Sequence, residues 1–288
     1  MIKEALQLLL PEHAIIVVSG IITSTIIASN ALPNPSTIIV PILSFSLLVF
    51  GFNALNAIFD LNIDKINKPL RPVPQGKITK KQTITISVIV NLIGIFAAYT
   101  VSINFLLLAL LFTLIGVLYS VPPARIKKRV FGSNMVIGII YGLIPFFTGF
   151  ILVGNYNIPL YLIIYFTIIA ALISSMKDFE DHIGDSLHKV KTVPVVLGTQ
   201  KAAKRVGESI LFVASAFLIL TTYIGMNRLI IASAVALLVA VVISVYLLNV
   251  AKNIDKILTQ NIIYESHIAR VGIAFGILIQ IVFAIAFI

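Results

Sequence analysis

The sequence predicts an all-α membrane protein with nine transmembrane helices, and three observations lead there. Hydrophobic residues make up 59% of the 288 and charged residues only 11%, with a mean hydropathy of +1.08, whereas soluble domains carry about a quarter charged residues. Nine windows supply the roughly 20 apolar residues that a helix needs to cross a bilayer. With those windows in place the loops alternate between short uncharged ones and longer basic ones, and of 21 Lys and Arg only Arg228 falls on the uncharged side. Lys and Arg accumulate on the cytoplasmic side of membrane proteins, which predicts a cell-membrane protein with its N-terminus and basic loops in the cytoplasm. Topology therefore accounts for most of the net charge of +10 without an anionic partner such as nucleic acid. The absence of Cys excludes disulfides, thiolate metal sites and Cys nucleophiles.

In chain order, residues 2–10 (IKEALQLLL) read as a short amphipathic helix lying at the interface. The first span, near 14–32, follows Lys3, Glu4, Glu12 and His13, and its length and charged flank fit a retained helix better than a signal peptide. The second lies near 38–60, and the third and fourth near 83–101 and 103–121. The fifth, near 135–153, contains Gly138, Gly142, Pro145 and Gly149, which suit close helix packing and a kink. Asn91 in the third span reads as a helix–helix hydrogen bond. The remaining spans lie near 158–176, 206–225, 229–249 and 268–287. Two acidic clusters follow spans 2 and 6, and this four-span offset predicts two four-helix halves plus a ninth helix around a central cavity. Residues 1–288 form one membrane-embedded domain in this reading.

The chemistry concentrates in those two clusters. In GFNALNAIFDLNIDKINKPLRPVPQGKIT, Asn56, Asp60 and Asp64 are spaced i, i+4, i+8, so each drifts about 40° from the last on a helix, and Asn53 falls inside the same arc. In SSMKDFEDHIGDSLHKVKTVPVVLG, Asp178, Asp181 and Asp185 lie within about 60° of one another. Glu180 points to the opposite side and reads as a solvated residue; His182 and His188 read as interfacial. Two carboxylate stripes facing each other repel unless a cation sits between them. Oxygen ligands without Cys select a hard ion, Mg²⁺ before Ca²⁺ or Mn²⁺, and Mg²⁺ commonly completes its shell with substrate phosphates. The flanking Lys68, Arg71, Arg125, Lys127, Lys128, Lys189 and Lys191 are placed to grip such phosphates, although topology alone also explains any one of them. Tyr119 and Tyr141 are candidates for the cavity border. Together these parts suit ionisation of a diphosphate ester whose lipid tail lies among apolar helices.

The pattern NxxxDxxxD at Asn56–Asp64 with DKINKPLRPVPQGKIT, KDFEDHIGD at 177–185 with KTVPVVLG, and YSVPPARIKKR at 119–129 resemble the UbiA superfamily of membrane prenyltransferases. Within it the run around Asn56–Ile78 is most similar to archaeal digeranylgeranylglyceryl phosphate synthases. The resemblance implies Mg²⁺ held by Asn56, Asp60, Asp64, Asp181 and Asp185, with Asp178 matching the acidic run as well. It implies pyrophosphate contacts from Lys68, Arg71, Arg125 and Lys127, and a basic site for the phosphate of a lipid acceptor at Lys128, Arg129 or Lys191. Asn53 and Tyr119 complete the expected substrate-binding set. The implied reaction joins geranylgeranyl diphosphate to the free hydroxyl of geranylgeranylglyceryl phosphate, as an ether. Many relatives carry an acid where this chain has Ala57. The alternatives are a prenyltransferase acting on an aromatic acceptor, such as 4-hydroxybenzoate or a quinone precursor, and, in another class, a cation-coupled transporter.

Overall fold

The computed structural model describes residues 2–254 and 267–288; Lys256, one of the cations assigned to the basic face, lies outside them. Among the described residues nine helices are long and apolar enough to span a membrane. A short α1 (Ile2–Leu9) precedes the first span, α2 (Pro11–Ser29). The second, α3 (Pro35–Phe59), continues into the short α4 (Leu61–Asn67). The spans α5 (Lys80–Val101), α6 (Ile103–Ser120), α7 (Gly132–Val153) and α8 (Leu160–Leu187) follow. After a short α9 (Val193–Leu197) come α10 (Thr199–Tyr223), α11 (Asn227–Lys252) and α12 (His267–Ile285).

Two apolar cores match the expected halves in outline. One gathers Phe45, Leu48, Phe105, Phe112 and Ile140 from α3, α6 and α7; the other gathers Ile173, Phe179, Ile210, Ile243 and Ile268 from α8, α10, α11 and α12. The division is not clean, because Ile27 of α2 and Phe146 and Phe150 of α7 belong to the second core. The first span packs on the fifth and on the last, closing the ring. Small residues allow these approaches: a methyl group on Gly149 would come within 2.0 Å of Ser24 Oγ, and one on Gly142 within 2.6 Å of the Phe166 carbonyl. The middle of α7, Ile139–Leu143, is a π-helical turn immediately before Ile144 and Pro145, so the irregularity expected there takes the form of a π-bulge.

The short amphipathic helix expected at the N-terminus is α1, which also packs on α3 and buries Leu8 with Ala54, Ala57, Val73 and Ile78. Ala57 packs in that cluster and also lines the cavity described below. Two other expectations need correction. Asn91 donates to Ser87 O of its own helix at 2.8 Å, and the bonds between α3 and its partner are made by Ser44 to Gly94 O and Ser87 to Gly51 O. Glu180 is buried, because the far side of α8 faces the N-terminus of α12 and not solvent. Its Oε1 accepts from Ile268 N and Ala269 N, two of the first-turn donors of that helix.

Candidate active site

Each acidic cluster is positioned by the end of a long helix. α3 ends at Asp60, whose φ of −98° and ψ of 1° bend the chain into α4, so Asn56, Asp60 and Asp64 do not share one straight helix. Continuous bonding carries the stripe across the bend, from Asp60 N to Asn56 O at 2.9 Å and from Asp64 N to Asp60 O at 2.7 Å. α8 runs without interruption to Leu187 and carries Asp181 and Asp185 past the end of its apolar segment. Asn67 links the two clusters, donating to Asp181 O and accepting from Gly184 N, both at 2.8 Å. Gly184 permits this contact, since an added methyl group would sit 2.5 Å from Asn67 Oδ1.

Asn53, Asn56, Asp60, Asp64, Lys68, Arg71, Tyr119, Lys127, Asp181 and Asp185 all line one cavity of about 1540 Å³, measured out to its open mouth. Its deeper wall is apolar, with Phe166, Ile169, Ile173, Gly272 and Gly276 among the lining residues. Within the cavity each of three aspartates faces a cation. Lys68 Nζ lies 2.5 Å from Asp181 Oδ1, and Arg71 Nη1 lies 3.3 Å from Asp64 Oδ2. Lys127 pairs with Asp60 and donates to Asn56 Oδ1 at 3.0 Å, while its ammonium sits 5.8 Å from the centre of the Tyr119 ring. Arg125 is held at a φ of 34° and reaches Phe59 O at 2.6 Å and Asp60 Oδ1 at 3.3 Å. Those bonds offset a left-handed conformation that a residue with a Cβ ordinarily avoids. Burial pushes the Asp64 carboxyl up and the Lys127 ammonium down, because both charged forms lose water.

Some expected members lie elsewhere. Asp178 is fully buried off the cavity wall, where it takes Lys177 at 3.0 Å and Asn134 Nδ2 at 3.4 Å; its face of α8 is covered by α7. Lys189, Lys191 and Arg129 are exposed and Lys128 is half-buried, and none lines the cavity. His182 and His188 bond to carbonyls of their own helix, Phe179 O and Gly184 O. Asn53 lines the cavity but uses its amide on α1 and α2, donating to Leu9 O at 2.7 Å and facing His13 Nδ1 at 3.1 Å. The residues that sequence reasoning passed over are His13, Lys177 and Gln280, which also line the cavity. They sit singly on apolar or topologically basic segments, without a local pattern to mark them.

Residues 17–259 match the model of the UbiA prenyltransferase family. The chain belongs to this family. It is 30% identical over 229 residues to a digeranylgeranylglyceryl phosphate synthase from Thermococcus kodakarensis, covering 79% of this chain and 81% of the relative. It is 31% identical over 232 residues to a protein of the same name from Saccharolobus solfataricus, covering 78% and 79%. Its fold is similar to that of a UbiA homologue from Archaeoglobus fulgidus solved with GPP and Mg²⁺, with a TM-score of 0.72, 19% identity and coverage of 96% and 99%. This UbiA chain is a multi-pass membrane prenyltransferase. A divalent metal accompanies the prenyl diphosphate in that homologue, and the donor set here fits one: four carboxylates and an amide oxygen, with no sulfur ligand. Among the described residues no three acids or histidines stand close enough together to enclose an ion. Asp60, Asp64 and Asp181 face Lys68, Arg71, Arg125 and Lys127 in place of one another.

Proposed function

We propose that this prenyltransferase transfers a geranylgeranyl group from geranylgeranyl diphosphate to the free hydroxyl of geranylgeranylglyceryl phosphate, working at the cytoplasmic membrane face. The observation that carries the reading is one cavity that gathers Asp60, Asp64, Asp181 and Asp185 with Lys68, Arg71 and Lys127 above an apolar floor, three of the four aspartates facing a cation. The names of the curated relatives support the choice of substrates. Orientation is supported by the basic loops after spans 2, 4 and 6, which adjoin the residues of the two acidic clusters.

Asn56, Asp60 and Asp64 on one wall and Asp181 and Asp185 on the other would hold Mg²⁺. The metal supplies positive charge to the diphosphate when bound. Lys68, Arg71 and Lys127 would exchange their carboxylate partners for phosphate oxygens and hold the departing pyrophosphate, while Arg125, which does not line the cavity, stays on Phe59 O and Asp60. The deep wall around Phe166, Ile169 and Ile173 excludes water from the allylic carbon and lies against the prenyl chain. An alcohol is a weak nucleophile, so stabilising the leaving group must provide most of the rate. A transporter would place its acids near the midplane, whereas these gather at helix ends.

The test is an acceptor panel with labelled geranylgeranyl diphosphate and Mg²⁺. An ether product with geranylgeranylglyceryl phosphate, lost on chelation of the metal, is the expected result. Preference for 4-hydroxybenzoate or another aromatic would replace the lipid-ether reading and leave the family unchanged.

A further inference from the structure

We propose that His13 accepts the proton of the acceptor hydroxyl as the ether bond forms, an assignment that rests on the alcohol-acceptor reading above. The geometry around Asn53 fixes the state of the ring. Asn53 Nδ2 donates to Leu9 O at 2.7 Å, which turns its Oδ1 towards His13 Nδ1 at 3.1 Å. An amide oxygen only accepts, so Nδ1 carries the ring proton and Nε2 keeps a lone pair. Among the described residues no group pairs with Nε2, and His13 lines the substrate cavity.

Its level in the cavity suits the role. Asn53 precedes Asn56 by one turn of α3 and Asp60 by two, so its partner His13 is held on the apolar side of the residues proposed to meet the diphosphate, the side on which the prenyl chain leaves it. Of the other carboxylates on the wall, Asp60, Asp64 and Asp181 face cations and Asp185 belongs to the set proposed to hold Mg²⁺, while the lysines have no lone pair to offer while charged. Four groups face the imidazole from its surroundings. Glu12 on its own helix is paired with Arg270 of α12 at 3.2 Å, Lys68 and Arg71 act on it from the loop after α4, and the Tyr141 ring of α7 lies 6.1 Å away. In the step itself the bond from C1 to the diphosphate oxygen breaks, and its electron pair leaves on pyrophosphate. A lone pair of the alcohol oxygen forms the new C1–O bond. The hydroxyl proton passes to Nε2 and then to solvent.

The discriminating variant is His13→Asn, whose Nδ2 keeps the donor to Asn53 while Nε2 is removed; His13→Gln is measured alongside it and decides the matter if the first does not fold. Ether formation is followed against pH. Ionisation is followed without acceptor, as oxygen-isotope scrambling between the bridging and terminal positions of geranylgeranyl diphosphate. The expected result is a loss of about 10²–10⁴ in kcat and of the acidic limb of the pH profile, with KM for the diphosphate and the scrambling rate unchanged. Ether formation within about 3-fold of wild type, or scrambling that falls in parallel with it, would overturn the assignment. Wild-type protein that makes no ether from any glycerol alcohol overturns the function proposed above and this step together; an ether-forming wild type with an unaffected variant overturns the step alone.

Discussion

Replacing Lys68 by Met isolates the role of the cations that face the carboxylates. Lys68 and Asp181 side chains are 10% and 12% exposed and lie 2.5 Å apart. At that separation and an effective dielectric of about 20, their attraction is about 7 kcal/mol. Desolvating two ions costs several kcal/mol each, so the intact pair contributes little net stability. Removing one partner is different, because Asp181 then stays buried without its nearest cation, a loss of about 3–5 kcal/mol. Lys177 and Arg71 also act on Asp181, which puts the expected value near the lower end. At about 2–4 °C per kcal/mol, Lys68→Met should lower Tm by about 6–12 °C.

The double variant Lys68→Met/Asp181→Asn should recover most of that loss, since it removes both charges. The chain has no Trp, so the assay is thermal stability followed by size-exclusion chromatography in detergent. Mg²⁺ added before heating should raise the Tm of Lys68→Met more than that of wild type, because a bound cation restores the charge that Asp181 has lost. A single variant as stable as wild type, or a double variant no better than the single, would refute the charge-pair reasoning. Equal Mg²⁺ shifts in the two proteins would refute the metal placement.

Two further outcomes follow from the same geometry. Lys127→Met, which removes the partner of Asp60 and Asn56, should lower kcat/KM for the prenyl diphosphate by about 10- to 150-fold, the worth of a charge-assisted bond. The exposed Lys191→Ala, measured in the same transfer assay, should leave it unchanged. Glu180→Leu leaves the first-turn N–H groups of Ile268 and Ala269 without their acceptor and should cost about 1–3 kcal/mol in thermal stability. Glu180→Gln, which keeps an acceptor oxygen, should retain most of it.

Sequence by itself determined the fold class, the span count and the two acidic clusters, because each rests on a local or periodic signal. Twenty apolar residues read as a span wherever they occur, and helical spacing places Asn56, Asp60 and Asp64 in one arc before any partner is known. The same reasoning failed where the neighbour across the gap decides. Spacing puts Asp178 with Asp181 and Asp185, yet α7 brings Asn134 against it and takes it off the cavity wall. Spacing also turns Glu180 away from the cluster correctly, but only the packing of α12 makes that side interior. The basic residues divide in the same way: Lys68 and Lys127 reach the cavity while Lys128 and Lys191 do not, a distinction that composition and topology cannot carry. His13 joins the site because α1 and α2 fold back on Asn53, some 40 residues later in the chain. A periodic pattern records which way a side chain points on its own helix; what it meets there depends on contacts distant in sequence, and only the tertiary structure decides them.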